Sequence, residues 1–107
     1  MKLIIAIVSN EDSSVASRAL TKAKFSVTRL ATTGGFLMSG NTTLLVGTEE
    51  ERVEEAIHLI GENSRKRSKI VSANTSFNAG MYAGMPVEVT VGGATVFVID
   101  VERYEKL

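Results

Sequence analysis

The chain has 107 residues, 44% of them hydrophobic and 6% aromatic, with twelve basic and twelve acidic side chains and a formal net charge of zero. That length fits one domain with a core of its own, residues 1–107, and the balanced charge excludes a general electrostatic attraction to nucleic acid or to an acidic membrane surface. The absence of cysteine excludes a disulfide framework, a thiolate nucleophile and a cysteine metal site, and suits the cytoplasm, while no apolar run approaches the ~20 residues needed to span a bilayer.

Residues 3–8, LIIAIV, form an unbroken apolar run of strand length, as expected of a central strand. Asn10 is a candidate N-cap, Glu11 and Asp12 suit the positive end of a helix, and Val15, Ala16, Ala19, Leu20 and Ala23 recur at helical spacing. These predict a helix over about residues 11–23. Phe25, Val27 and Arg29 then alternate with Ser26, Thr28 and Leu30, which predicts a second strand with two chemically different faces.

That strand feeds into residues 32–43, TTGGFLMSGNTT, the stretch richest in binding chemistry. Glycines at 34, 35 and 40 let backbone approach a bound group closely, and the threonines and Asn41 supply small hydrogen-bonding groups. Phe36 and Leu37, apolar within a polar loop, serve either as a plug into the core or as a platform for a ligand or partner.

Residues 43–47 read as a third strand ending at Gly47, and Thr48 with Glu51 has the spacing of a capping box for a second helix. Val53, Ala56, Ile57 and Ile60 give that helix its buried stripe, and Gly61 is placed to end it. His58, the only histidine, lies beside the stripe as an ordinary surface or boundary residue, and Arg65, Lys66, Arg67 and Lys69 read as a solvated basic face and loop, with a partner contact as the alternative.

Residues 69–71 suit a strand, and 74–84 have no period. Met81, Tyr82 and Met85 would leave apolar groups exposed there, so the loop is expected to order on a ligand or partner, with plain disorder as the alternative. From Pro86 an alternating strand leads to Gly92-Gly93, a tight turn or a bulge, and then to a strongly apolar last strand over 94–101. The order predicts an α+β, ferredoxin-like βαββαβ domain with an extra β-hairpin or loop before the last strand. Helices on one face leave the apolar first and last strands uncovered on the other, which favours a closed homo-oligomer packed sheet against sheet.

Four stretches together, MKLIIAIV at 1–8, LATTGGFL at 30–37, GNTT at 40–43 and PVEVTVGGATVFV at 86–98, resemble the cyclic-di-AMP receptor branch of the PII-like signal-transduction family over the full length. The resemblance implies a homotrimer that binds cyclic di-AMP in clefts between subunits, with no catalytic residues, no metal and no other cofactor. It implies ligand contacts from Gly35, Phe36 and Leu37, from Asn41 and Gly47 near an adenine, from Thr28 near a phosphate, and from Phe97. An adenine needs an amide or backbone pair for its edge and an apolar wall for its face, and a phosphate accepts hydroxyl and backbone donors. The chain departs from the family pattern at Ser26, where an arginine is often found, and at Lys106, where glutamine is frequent. Loss of a charge-assisted contact at residue 26 removes ~1 to 2 kcal/mol of binding.

The reading that follows is a signalling sensor whose loop changes conformation on binding and regulates an unidentified protein target. The alternatives are a PII-like trimer that binds another nucleotide such as ATP, or a protein adaptor. A small phosphatase is remote, because no arginine-bearing phosphate cradle and no nucleophile with an adjacent base is visible.

Overall fold

A computed structural model describes residues 1–31, 40–72 and 86–107. Its elements are β1 (Lys2–Ser9), α1 (Asn10–Lys22), β2 (Ser26–Ala31), β3 (Asn41–Thr48), a 3₁₀ turn (Glu50–Arg52), α2 (Val53–Glu62), β4 (Arg67–Ser72), β5 (Pro86–Val91) and β6 (Ala94–Asp100). Strands β2, β3, β1 and β6 lie in that order in one sheet with every neighbouring pair antiparallel, the strand order of a ferredoxin-like α+β domain.

The alternation of the strands decides which face the helices cover. Ile4, Ala6 and Val8 of β1 and Leu44 and Val46 of β3 turn to one side and meet Ala16 and Leu20 of α1 and Val53, Ala56 and Ile60 of α2. Each of the larger side chains contributes roughly 1.5–3 kcal/mol on burial. Val27 and Val96 flank this core from the outer strands.

The first helix differs from its predicted stripe. Val15 is exposed, and the buried face instead carries Asp12 and Ser13 along with Ala16 and Leu20. Polar groups are tolerated there because they have partners: Ser13 Oγ donates to the Asn10 carbonyl at 3.1 Å, and Asp12 accepts from Ser9 and Arg67. Asn10 is the first helical residue, with Ser9 as the N-cap. At its other end α1 closes in a Schellman turn, Lys24 N–H to the Thr21 carbonyl and Phe25 N–H to the Leu20 carbonyl, both 3.0 Å. Lys24 adopts φ +73°, the left-handed conformation usually given to glycine.

The predicted capping box at Thr48 and Glu51 does not form. Thr48 stays in β3, paired with Lys2, and the chain enters α2 through the 3₁₀ turn, whose N-cap is Glu49. Nor does Gly61 end α2, which continues to Glu62 and closes on Asn63, whose Nδ2 donates to the Leu59 carbonyl at 2.7 Å. Arg52 locks this entry from the side: its guanidinium lies 3.9 Å from the centre of the Phe25 ring and donates to the Ala23 carbonyl at 2.8 Å.

β4 and β5 pair with each other in an antiparallel ladder from Arg67↔Val91 to Ser72↔Pro86, a two-stranded ribbon distinct from the main sheet. Gly92 and Gly93, both at φ +86°, carry the chain from this ribbon into the main sheet, so the double glycine is a switch between sheets rather than a tight turn or a bulge within one. Gly93 N–H donates to the Ser64 carbonyl at 2.5 Å, which ties the switch to the end of α2.

Candidate functional site

The sheet face turned away from the helices carries the predicted site residues that the structure describes. Pairing registers place its side chains in cross-strand rows: Ser26, Gly47, Leu3 and Ile99; then Thr28, Leu45, Ile5 and Phe97; then Leu30, Thr43, Ile7 and Thr95; then Asn41 beside Ser9. Thr28, Asn41, Gly47 and Phe97 all belong to this face and all are exposed. Gly35, Phe36 and Leu37 lie outside the described residues.

The structure brings some of these residues together and separates others. Ser26 stands directly opposite Gly47, with Thr28 on the same face of β2. A Cβ at Gly47 would meet only Met1 Sδ, at 3.9 Å, so the glycine leaves a flat patch of backbone beside two hydroxyls. Asn41 lies at the opposite end of β3, about 20 Å away by strand rise. The two residues are therefore not neighbours within one chain. Phe97, 52% exposed, lies on the far edge strand.

Arg29 does not replace the cation absent at residue 26. It projects from the other face of β2, where its Nη1 is 3.4 Å from Ser14 Oγ on α1. His58 is on the surface, its Nε2 3.2 Å from Glu62 Oε1. A shallow cleft of about 440 Å³ on the helix side, lined by Ile57, Ser64, Arg65, Lys66 and Val96 among others, contains none of the predicted residues.

Sequence reasoning missed a polar corner at the Asn41 end of the sheet. Asn10 N–H donates to the Gly40 carbonyl at 3.0 Å and its Oδ1 accepts from Thr42 Oγ1 at 2.5 Å, so the residue expected to cap α1 holds the start of β3 instead. Two residues on, Asp12 receives the Arg67 guanidinium as a two-pronged pair, Nη2 to Oδ1 at 2.9 Å and Nη1 to Oδ2 at 3.2 Å, with Ser9 Oγ donating to Oδ2 at 2.9 Å. Burial of Asp12 opposes its ionisation, but the hydrogen bonds from Arg67 and Ser9 and the Arg67 charge outweigh it and hold the carboxyl below its ordinary range. The basic run at 65–67 is thus not simply a solvated loop. No local signal pairs Arg67 with a carboxylate 55 positions away.

Chemically, the open face offers apolar rows, hydroxyls and bare backbone, the materials of a binding surface. Among the described residues no group of three or more His, Asp or Glu side chains is placed to hold a metal ion, and no helix is long and apolar enough to cross a membrane.

A family model described as the cyclic-di-AMP receptor matches residues 1–107, the whole chain. The chain belongs to the cyclic-di-AMP receptor family. It is also similar, at 40% identity over 99% of this chain and 96% of the other and with a TM-score of 0.75, to a protein of unknown function from Pediococcus pentosaceus whose crystal structure is known. Membership in the receptor family supports a cyclic-di-AMP-binding signalling role, and the open face of this family member carries the hydroxyl, glycine and aromatic groups that such a ligand can use.

Proposed function

We propose that this chain is a non-enzymatic cytoplasmic sensor that binds cyclic di-AMP at the subunit boundaries of a homotrimer and, through a change in loop conformation, regulates a protein target. The observation that carries the reading is the placement of Thr28, Asn41, Gly47 and Phe97 on the one sheet face without helices, in a chain matched end to end by the receptor family. That face also carries Leu3, Ile5, Ile7, Leu30, Leu45 and Ile99, an apolar surface whose burial against neighbouring copies supplies the drive for assembly. Thr28 and Gly47 then belong to one side of a cleft, and Phe97 reaches the ligand from an adjacent subunit. Gly35, Phe36 and Leu37 contribute further ligand contacts, with Asn41 and Gly47 near an adenine.

Ser26 favours a second reading. Its hydroxyl stands opposite Gly47 and carries no charge, so a trimer with this face binds a bis-phosphate ligand without the arginine often present in the family, or takes a different nucleotide such as ATP.

Calorimetric titration with cyclic di-AMP, ATP and cyclic di-GMP separates the readings. Saturation by cyclic di-AMP alone, near one per subunit, is the expected result. Silence with cyclic di-AMP and binding of ATP replaces the first reading by the second.

A further inference from the structure

Residues 9–12 hold two separate parts of the chain at one corner. Asn10 grips Gly40 and Thr42 where β3 begins, and Asp12 grips Arg67 where β4 begins. Ser9 stands opposite Asn41 on the open face and donates to Asp12. One short stretch thereby links the start of β3, the predicted ligand residue Asn41 and the base of the β4–β5 ribbon.

The ribbon depends on such an anchor. A two-stranded ladder is marginal in water without a packed face, and among the described residues Ile70 on β4 is 72% exposed. Its backbone route is set by Gly92 and Gly93, with Gly93 fixed to Ser64, but a glycine pair leaves the direction of the ribbon loosely determined. Arg67 adds a second anchor at the ribbon's base. Its guanidinium plane is fixed by two prongs on Asp12, by Glu11 Oε2 at 3.3 Å and by the Arg65 carbonyl at 3.0 Å, so the first residue of β4 is held from α1 and from its own approach loop. A planar fork on a carboxylate constrains angle as well as distance, which a lysine ammonium does not.

We propose that Asp12 and Arg67 are positioning residues for ligand binding: the pair fixes the base of the β4–β5 ribbon at the corner where Ser9 pairs with Asn41. The inference rests on the cyclic-di-AMP reading for its effect on affinity, and on geometry alone for its effect on the ribbon. The pair acts through the ribbon and touches no ligand itself.

The test uses the full chain with Arg67→Gln, Asp12→Asn, Arg67→Lys and the Arg67→Gln/Asp12→Asn double variant. Amide exchange without nucleotide is expected to rise at least about tenfold across 67–72 and 86–91 in each single variant, with β1 and β3 unchanged. Cyclic di-AMP affinity is expected to fall about tenfold, the double variant to bind no worse than either single one, and Arg67→Lys to recover only part. Wild-type affinity in a folded Arg67→Gln protein, or a lowered melting temperature with ribbon exchange and affinity both unchanged, overturns the proposal. If the wild-type chain itself takes no cyclic di-AMP, the functional reading fails and with it the effect on affinity, while ribbon exchange in the variants still decides whether the pair positions the ribbon.

Discussion

Thr28 and Phe97 occupy the two ends of one cross-strand row, joined through Leu45 and Ile5 and separated by three strand spacings, about 14 Å. Both project from the face without helices, yet they stand on the two edge strands of the sheet. If each touches a ligand at a subunit boundary, the two belong to different sides of the cleft. Thr28→Val and Phe97→Ala should each weaken cyclic di-AMP binding, by roughly 1 kcal/mol for the lost hydroxyl bond and more for the aromatic wall. Mixed assemblies of the two variants should regain some sites of wild-type affinity, measured by titration after co-refolding. Mixtures that bind no better than either variant alone would place both residues on one side.

The apolar centre of the same face should govern assembly. Replacing Leu45 by Asp puts a charge between Thr28 and Ile5 in the middle of the sheet, and if the proposed trimer packs through this face, sedimentation should show monomer in its place with the fold retained. A trimer that survives this change would show that the face is not the subunit contact.

Acid should loosen the corner at Asp12. Its carboxyl is held below the ordinary value of 3.8, so the folded chain binds the proton less readily than the unfolded one. The stabilisation is fully present above about pH 4 and is lost as pH falls through the lowered folded value. Thermal melts should therefore show the gap between wild type and Asp12→Asn narrowing below that pH. Asp100, lowered through its hydrogen bond with Lys2 and the Lys2 charge, titrates in the same sense, but that pair is more exposed and added salt should weaken it first.

Lys24→Gly should raise stability by roughly 0.5–1 kcal/mol, seen as a higher denaturant midpoint, because φ +73° costs a side chain what glycine does not pay. The Schellman bonds from residues 24 and 25 remain available to the glycine variant.

Gly92→Ala should do the opposite. The backbone there has φ +86°, and a Cβ would overlap the Arg65 carbonyl oxygen and press on the Arg67 guanidinium. A loss of about 2 kcal/mol or more is expected, with faster exchange in the ribbon than in the main sheet. An unchanged denaturation curve would show that the switch between sheets tolerates a side chain.

The main sheet was legible because its signals are local. The apolar run at 3–8, the alternation at 25–30 and the stripe Val53, Ala56, Ile60 each follow from a period that backbone geometry imposes, and the structure keeps them as β1, β2 and α2. The cap assignments failed for the same reason. Asn10 and Thr48 have good capping chemistry, but Thr42 and Gly40 in one case and the β1 ladder in the other compete for those residues.

By itself the sequence determined the two helices, the apolar strands, the family and the residue types able to meet a nucleotide, because periodicity and motif order reside in neighbouring positions. Only tertiary structure decided that Thr28, Gly47, Asn41 and Phe97 share one face but not one spot. It also decided that Arg67 closes on Asp12 and that Gly92-Gly93 joins two sheets. These depend on strand register and on contacts between distant positions, where the favourable geometry exists only once the intervening chain has folded.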